Sequence, residues 1–328
     1  MMLKLSVVTS LYRSTRYIDE FYSRIVADAQ KLTSSFEIVF VNDASPDDSL
    51  ESARRLCATD PRVRVIDLAR NVGQHRALMS GMRYANGERV FVIDVDLEEE
   101  PENLGRFWRA MDEEPETDVV VGQLEKKTLP FAKALTSDLF YKVFNALSPV
   151  QVSDRDIVSR LMKRSYVSAL LQYGETELFL PAVWKDAGFR QKRIAATKVF
   201  DGKSSYTFRK KLTMAVDAIT SFSSKPLTGI FYLGLFSSGI AASVILCLLA
   251  RKLFWGHVFL GWTSLMAALF LIGGVIIFSI GVVGIYISKI FLEVKGRPTS
   301  LVRAIYHGDR VHAPLAADES YKEREWQG

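Results

Sequence analysis

Two long runs of this chain of 328 residues contain no charged side chain. Positions 226–250 and 258–288 lack Asp, Glu, Lys and Arg, although charged residues are frequent in the sequence before them. Each run exceeds the roughly 20 apolar residues that are needed to cross a hydrocarbon core. A buried helical hairpin is the alternative, but no comparably apolar segment elsewhere in the sequence would cover it. The runs therefore predict two transmembrane helices.

Cysteine is scarce, and a secretory signal is missing. Cys57 falls in the charged part of the sequence and Cys247 in an apolar run, so we expect neither a disulfide nor a cysteine metal site. Residues 1–10 have no basic region, no long apolar stretch and no small-residue cleavage site. The soluble part of the chain should therefore stay in the cytoplasm.

The loop between the two apolar runs is poor in basic residues, because it carries Arg251 and Lys252 alone. Basic residues flank the outer ends of the runs instead: Lys203, Arg209, Lys210, Lys211, Lys225, Lys289, Lys295, Arg297 and Arg303. This bias predicts a multi-pass protein of the inner cell membrane with both termini in the cytoplasm. The net charge of +5 suits an anionic membrane surface and phosphate-bearing substrates. Nucleic acid is not an expected partner, since no nucleic-acid motif accompanies the basic residues.

Glycine is absent from residues 10–14, which follow the first β-rich run. A dinucleotide-dependent oxidoreductase needs a glycine-rich turn at that point, where the backbone approaches a pyrophosphate. The sequence therefore disfavours that class of enzyme.

Short β-rich runs and amphipathic helical patterns alternate over the first 122 residues. The runs are Leu5–Thr9, Glu37–Val41, Val63–Leu68, Val90–Ile93 and Val119–Val121. This alternation predicts an α/β fold with a mostly parallel sheet that is covered on both faces. Ligands of such sheets bind at the carboxyl ends of the strands.

Acidic residues occupy alternate positions where the fourth run ends, at Asp94, Asp96 and Glu98. Residues two apart on an extended chain point the same way, so the three carboxylates are expected to converge. Such a group is tolerable around a hard cation, and Mg²⁺ or Mn²⁺ bridging a diphosphate is the natural occupant. A solvated acidic turn is the alternative, since Glu99 and Glu100 continue the run.

Polar residues also follow the second and third runs. Asp43 lies where a strand-end carboxylate can accept hydrogen bonds from a base or ribose, whereas Ser45 to Asp48 supply capping oxygens for the next helix. Gly73 begins a turn into a helix whose N-terminus would face phosphate, with His75 and Arg76 as donor contacts. A surface cap is the alternative for His75.

Three segments, in this order, carry a family resemblance: Glu37–Ser45, Asn71–Gly81 and Asp94–Pro101. They resemble the Asp-Asp-Gly-Ser strand end, the Asn-x-Gly-x-x-x-Ala-x-x-x-Gly stretch and the Asp-x-Asp-Leu-Gln metal motif of family 2 glycosyltransferases of GT-A fold. Further segments resemble the branch with dolichyl-phosphate mannose synthase and bacterial polyprenyl-phosphate glycosyltransferases, which has two C-terminal membrane spans: Thr136–Lys142, Arg160–Met162, Thr220–Leu227, Gly284–Tyr286 and Glu293–Pro298.

The resemblance implies roles for these residues. Tyr12 and Asp43 would hold the nucleotide, with Asn42 in place of the family's first Asp. Asp94 would lie near the ribose and phosphates, and Asp96 with Glu98 would bind the metal. The family's acid after Gly is absent, and Asp154 or Asp156 would stand in for it. Candidates for holding an acceptor phosphate are Lys126, Lys133, Arg160, Ser204 and Arg209, with headgroup anchoring as the alternative for each.

The implied activity is the inverting transfer of a hexose-type sugar from a nucleotide diphosphate to polyprenyl (undecaprenyl) phosphate, for modification of cell-envelope glycans. A sugar hydroxyl as acceptor, and a non-catalytic nucleotide-sugar-binding scaffold, are the alternatives. The expected division is a catalytic domain (1–205), an amphipathic interface helix (206–226), a transmembrane hairpin (227–290) and a cytoplasmic tail (291–328). Small residues at Gly234, Ser238 and Ala242 would permit close packing between the two spans or, in a homo-oligomer, between subunits.

Overall fold

The computed structural model describes residues 3–124, 142–148, 150–153, 155–176, 178–196, 216, 219–221, 223–255, 261–308 and 310–312. The chain divides into two compact units. The first comprises Met1–Tyr141, Val152–Ser205 and Pro298–Gly328, and the second comprises Lys142–Gln151 and Tyr206–Arg297.

The first unit is built on a sheet of nine strands in the order β7-β5-β6-β4-β1-β2-β3-β8-β9. The strands are β1 Leu5–Leu11, β2 Phe36–Asn42, β3 Val63–Leu68, β4 Arg89–Val92, β5 Val119–Leu124, β6 Asp156–Lys163, β7 Gln191–Ala196, β8 Val302–His307 and β9 Arg310–His312. The helices are α1 Ile18–Leu32, α2 Ser49–Thr59, α3 Gln74–Tyr84, α4 Asn103–Glu113, α5 Arg164–Leu170 and α6 Leu180–Asp186.

The sheet is parallel at its centre and antiparallel on either side. Strands β4, β1, β2 and β3 pair in parallel, as do β5 and β7. Strand β6 is antiparallel to both β4 and β5, and β8 is antiparallel to β3 and β9. The α/β prediction is confirmed, but a mostly parallel sheet describes only the centre, where helices provide the crossovers that parallel strands require.

Burial on both faces explains why the central strands form where the apolar runs lie. Every residue of β2 is buried, which is typical of a strand covered by helices on two sides. Helix α1 buries one stripe through Ile18, Phe21 and Ile25. The predicted run at 63–68 matches β3 at both ends, whereas β4 ends at Val92, one residue earlier than expected.

The segment after the second apolar run does not form the tail that the sequence suggested. Residues 302–307 and 310–312 are strands β8 and β9 of the first unit, so the assignment of 291–328 to a tail is wrong for this part. Strand β8 pairs with β3, which would otherwise present an edge of unpaired backbone groups. Its short sequence, with Ala304 and Ile305 as its buried residues, carries too little apolar pattern to predict it.

The second unit contains two long helices, α7 Lys225–Trp255 and α8 Trp262–Val294. Among the described residues, one stretch has the length and apolarity of a membrane span, at Leu271–Val294 with 24 residues. Its apolar side chains are exposed, as Ile277 illustrates at 73%. The other predicted span, at 226–250, coincides with α7 and stays a prediction. Most of the predicted interface helix at 206–226 lies outside the described residues.

Candidate functional site

Four loops of the first unit leave the carboxyl ends of the parallel strands β1, β2, β3 and β4. They carry Tyr12, Asn42 with Asp43, residues 70–73, and Asp94 to Glu98. Because these strands run in one direction, the loops meet at a single edge of the sheet. Tyr12 is 47% exposed at this edge, and Arg13 Cζ lies 5.7 Å from the centre of its ring.

Asp43 holds the loop that follows β3. Its Oδ1 accepts the Val72 N–H at 2.7 Å, and its Oδ2 accepts the Gly73 N–H at 2.9 Å and the Asn71 amide at 3.0 Å. Burial raises the pKa of Asp43, and the two backbone hydrogen bonds act in the opposite direction. The amides of Val72 and Gly73, which precede helix α3, therefore meet a carboxylate of the protein itself, whereas the sequence suggested a phosphate there.

Both polar groups of the Asn42 side chain form hydrogen bonds within the protein. Its Nδ2 donates to Asp67 Oδ1 at 2.7 Å, and its Oδ1 accepts the Ser45 N–H at 3.2 Å. The side chain lies within the sheet edge, since only 2% of the residue is exposed. Direct contact between Asn42 and a substrate, as the sequence suggested, does not fit this burial.

The loops after β1 and β2 are joined by hydrogen bonds. The Arg13 N–H donates to Ser45 Oγ at 2.7 Å, and the Thr15 hydroxyl donates to Asp47 Oδ2 at 2.6 Å. Burial alone would raise the pKa of Asp47, but hydrogen bonds from Ser45, Ser49 and Thr15 hold it well below its usual value. Arg13 has a φ of +55°, an uncommon value for a side-chain-bearing residue. These bonds fix the backbone that carries Tyr12.

The acidic residues after β4 lie in a turn, because the strand ends at Val92. Asp94 Oδ1 accepts the Gln74 side-chain amide at 2.5 Å, and Asp96 Oδ1 accepts the Glu98 N–H at 3.1 Å. Leu97 has a φ of +61°, so the chain is not extended between Asp96 and Glu98. The alternation argument for three converging carboxylates therefore fails. In the part of the chain that the structure describes, no group of three or more acidic, His or Cys side chains is placed to hold a metal ion.

Glu99 is a structural anchor that the sequence did not distinguish from its neighbours. It is fully buried, and its two oxygens accept the N–H groups of Val158 at 3.2 Å and Ser159 at 2.8 Å. These bonds hold the acidic turn against β6. A run of three glutamates looks uniformly solvated in the sequence, and only the tertiary structure shows which member points inward.

Arg160 is buried, although the sequence suggested it as a ligand of an acceptor phosphate. It is 3% exposed, its guanidinium donates to the Ile157 and Val158 carbonyls, and its Cζ lies 3.0 Å from the centre of the Trp184 ring. Burial lowers the pKa of Arg160 to about 10. Through these contacts Arg160 packs β6 against α6. A buried guanidinium in this position is poorly placed to bind an acceptor phosphate at the surface.

Asp156 begins β6 and pairs with Arg193, whose Nε lies 3.1 Å from Asp156 Oδ1. The Gln123 side-chain amide donates to the same oxygen at 3.1 Å. Asp156 is thus held between a side-chain amide of β5 and a guanidinium of β7, and its catalytic role stays a prediction.

His75 and Arg76 contact the segment that precedes α6. His75 Nδ1 lies 3.3 Å from the Leu178 carbonyl oxygen, and the Arg76 guanidinium donates to the Thr176 carbonyl. Burial lowers the pKa of His75. Both side chains therefore serve to hold a loop. The other suggested acceptor ligands, Lys126, Lys133, Ser204 and Arg209, lie outside the described residues, as does Asp154.

Comparison with known proteins agrees with the early resemblance. The family model described as glycosyl transferase family 2 matches residues 6–171. A Mycobacterium tuberculosis (strain CDC 1551 / Oshkosh) protein named "Putative glycosyltransferases" is 40% identical over 307 residues, which is 94% of this chain and 90% of that protein. The Bacillus subtilis (strain 168) glycosyltransferase YkcC is 31% identical over 92% of this chain and 94% of its own length. A Shigella flexneri protein named "SfII prophage-derived bactoprenol glucosyl transferase" is 30% identical over 94% of this chain and all of that protein.

Proposed function

Because the chain belongs to glycosyl transferase family 2, we propose that it transfers a hexose-type sugar from a nucleotide diphosphate to a polyprenyl phosphate at the cytoplasmic face of a membrane. The observation that supports a polyprenyl phosphate as the acceptor is the match to a bactoprenol glucosyl transferase over 94% of this chain. A match of that extent includes the apolar helices α7 and α8. A shared membrane region beside a shared catalytic domain suits a lipid acceptor.

The donor would bind at the carboxyl edge of the parallel strands. Tyr12 presents an exposed ring on which a base can stack, on a backbone fixed by Ser45 and Asp47. Asp43 would act through the loop at 70–73, which it holds by three hydrogen bonds. Asp94, which Gln74 orients, would face the ribose and phosphates.

Asp96 and Glu98 would hold a divalent cation. The donor set fits Mg²⁺ or Mn²⁺, because such ions take one or two carboxylates from the protein and complete their coordination with water and substrate phosphates. The Asp96 side chain is already oriented by the Glu98 N–H at 3.1 Å. When bound, the cation would stabilise negative charge on the departing nucleoside diphosphate.

The acceptor needs no general base. A phosphate monoester has a second pKa near 6, so it is largely dianionic at neutral pH and is already a nucleophile. In the proposed step, a phosphate oxygen bonds to the anomeric carbon while the bond from that carbon to the nucleotide diphosphate oxygen breaks, with inversion of configuration.

The test is transfer of radiolabelled sugar from UDP-, GDP- and dTDP-linked donors into undecaprenyl phosphate by membranes that contain the protein. We expect Asp96→Asn to lower transfer by about 100-fold or more, since a metal stabilises the leaving group by several kcal/mol. Removal of divalent cations with EDTA should abolish wild-type activity, and Mn²⁺ should restore it.

Glu100→Gln is the matched control, because it neutralises an acid of the same run that is given no role. It should retain transfer within a few-fold. Wild-type activity in Asp96→Asn membranes would refute the metal role. Donor binding without transfer to any acceptor would favour the non-catalytic scaffold instead.

A further inference from the structure

A chain of polar contacts joins three neighbouring strands of the first unit, β2, β3 and β8. Arg303 of β8 places its Nη1 3.5 Å from Asp67 Oδ2, at the end of β3. Asp67 Oδ1 in turn accepts the Asn42 amide at 2.7 Å, at the end of β2. We refer to these three residues, Arg303, Asp67 and Asn42, as the cross-strand relay.

A bulge in β8 brings Arg303 to this position. Asp67 pairs with Ala304 and Leu68 pairs with Val302, so Arg303 is an extra residue in the antiparallel register. A bulge of this kind changes the direction of a side chain. Arg303 Nη2 also donates to the Ala69 carbonyl at 3.0 Å, which fixes the guanidinium beside the carboxylate.

The buried partner is Asp67. It is 1% exposed, and burying a carboxylate is unfavourable unless the charge is paired and hydrogen-bonded. Arg303 supplies the charge and Asn42 supplies the hydrogen bond. An Asp at position 42 would put a second carboxylate 2.7 Å from the first, so the amide at this position is matched to Asp67.

The relay ends on the backbone of the proposed donor site. Asn42 Oδ1 accepts the Ser45 N–H at 3.2 Å, across a turn in which Ala44 has a φ of +47°. Ser45 Oγ accepts the Arg13 N–H at 2.7 Å, next to Tyr12. On the other side, Asp67 and Ala69 lead directly into the loop at 70–73 that Asp43 holds.

We propose that Arg303 is a positioning residue for the nucleotide donor, which acts through Asp67 and Asn42 on the turn at 42–45. This inference rests on the proposed function, because it concerns the donor site of that reaction. Arg303 touches no reacting group, and its effect should therefore be on donor affinity. Loss of its charge leaves the Asp67 carboxylate buried without a cation, and the Asn42 amide then shifts with it.

The experiment compares the full chain with the variants Arg303→Met and Arg303→Lys in the radiolabelled transfer assay. We expect Arg303→Met to raise the donor KM by about tenfold, with kcat and the KM for undecaprenyl phosphate within about twofold of wild type. Arg303→Lys should return the donor KM to within about threefold, because it restores the charge. Arg310→Met on the adjacent strand is the matched control and should leave the donor KM unchanged.

A double variant separates the relay from a general loss of stability. Asp67→Asn combined with Arg303→Met removes both charges, so we expect a smaller rise in donor KM than for Arg303→Met alone. A purely structural role would lower the amount of folded enzyme, and so the apparent kcat, without changing the donor KM. That result, or a donor KM for Arg303→Met equal to wild type, would overturn the proposal.

Failure of the proposed function gives a different result. If wild-type membranes transfer no sugar, the Kd of the purified chain for UDP, GDP and dTDP is measured in the presence of Mn²⁺ instead of the donor KM. We then expect the Kd values of the variants to follow the order given above for KM. Equal nucleotide affinity in wild type and Arg303→Met would then refute the relay. If wild type binds none of the three nucleotides, the relay and the donor site are both refuted.

Discussion

At the scale of single residues, the site is determined by which polar groups are already satisfied within the protein. Asp43 was recognisable in the sequence as a strand-end carboxylate, yet its oxygens are directed to Asn71, Val72 and Gly73. Tyr12, by contrast, keeps an accessible ring. Residue type and position predicted which strand ends carry polar side chains, but the hydrogen-bond partners of these side chains depend on loops that only the folded chain brings together.

Asp43→Asn should destabilise the protein, because the new amide places a donor where three donors converge. One or more of the groups on Asn71, Val72 and Gly73 would lose its acceptor, and we expect a loss of about 1–3 kcal/mol in unfolding free energy. Thermal unfolding of the purified chain measures the loss. Asp48→Asn is the control, since Asp48 is exposed and makes no side-chain cap hydrogen bond to α2. Equal melting temperatures for the two variants would contradict the anchoring role.

At the scale of elements, the helix that follows the Asp43-held loop packs unusually close to the sheet. A Cβ on Gly81 of α3 would lie 2.5 Å from Val8 Cγ1 and 2.7 Å from Val41 Cγ2. Both valines belong to the buried strands β1 and β2. The close approach explains why the stretch Asn71–Gly81, which resembles the family motif, ends in glycine. A larger residue at this position would push α3, and the loop at its start, away from the strand ends.

Gly81→Ala should lower the unfolding free energy by about 1–3 kcal/mol, because overpacking forces side chains or backbone to move. The melting temperature of the variant measures this effect. Gly174→Ala is the matched control, since no heavy atom lies within 4 Å of a Cβ built there. A melting temperature for Gly81→Ala equal to that of the control would show that α3 can shift without cost.

The central elements were predictable because burial on two sides gives strands continuous apolar runs. Strands β1 to β5 were expected near their observed positions on this basis. Strand β7 was not, because its sequence from Gln191 to Ala196 begins with three polar residues and does not alternate, and its pairing with β5 supplies the structure. Strand β4 ends at Val92, one residue earlier than predicted. Asp94, Asp96 and Glu98 therefore lie in a turn and not on the extended chain that the prediction assumed.

At the scale of the whole molecule, the chain returns to the nine-stranded sheet after its apolar helices. Strand β8 covers β3 through backbone pairing at residues 302–307, and Ile305 is buried there. Composition and charge predicted two apolar segments, at 226–250 and 258–288, and the helices Lys225–Trp255 and Trp262–Val294 lie over them with different ends. They could not predict the return, because a short edge strand of mixed polarity has no signature of its own.

A fragment of residues 1–205 should therefore be less stable than one in which a flexible Gly-Ser linker joins it to residues 298–312. Without β8, strand β3 exposes its hydrogen-bonding edge, and we expect aggregation during purification and a lower melting temperature. Size-exclusion chromatography and thermal unfolding compare the two fragments. A linked fragment with residues 302–307 in scrambled order is the control. If the short fragment were as soluble and stable as the linked one, β8 would be dispensable for the fold.

The position of β8 along the chain also sets an order for synthesis. A ribosome completes both apolar helices before it reaches Val302, so the nascent chain carries β3 as an open edge throughout translation of that region. The first unit cannot complete its nine-stranded sheet until both apolar helices have been synthesised. If both helices enter a membrane, as the proposed function requires, their insertion would precede completion of the sheet, and the proposed donor site would be completed only in chains that are already at the bilayer.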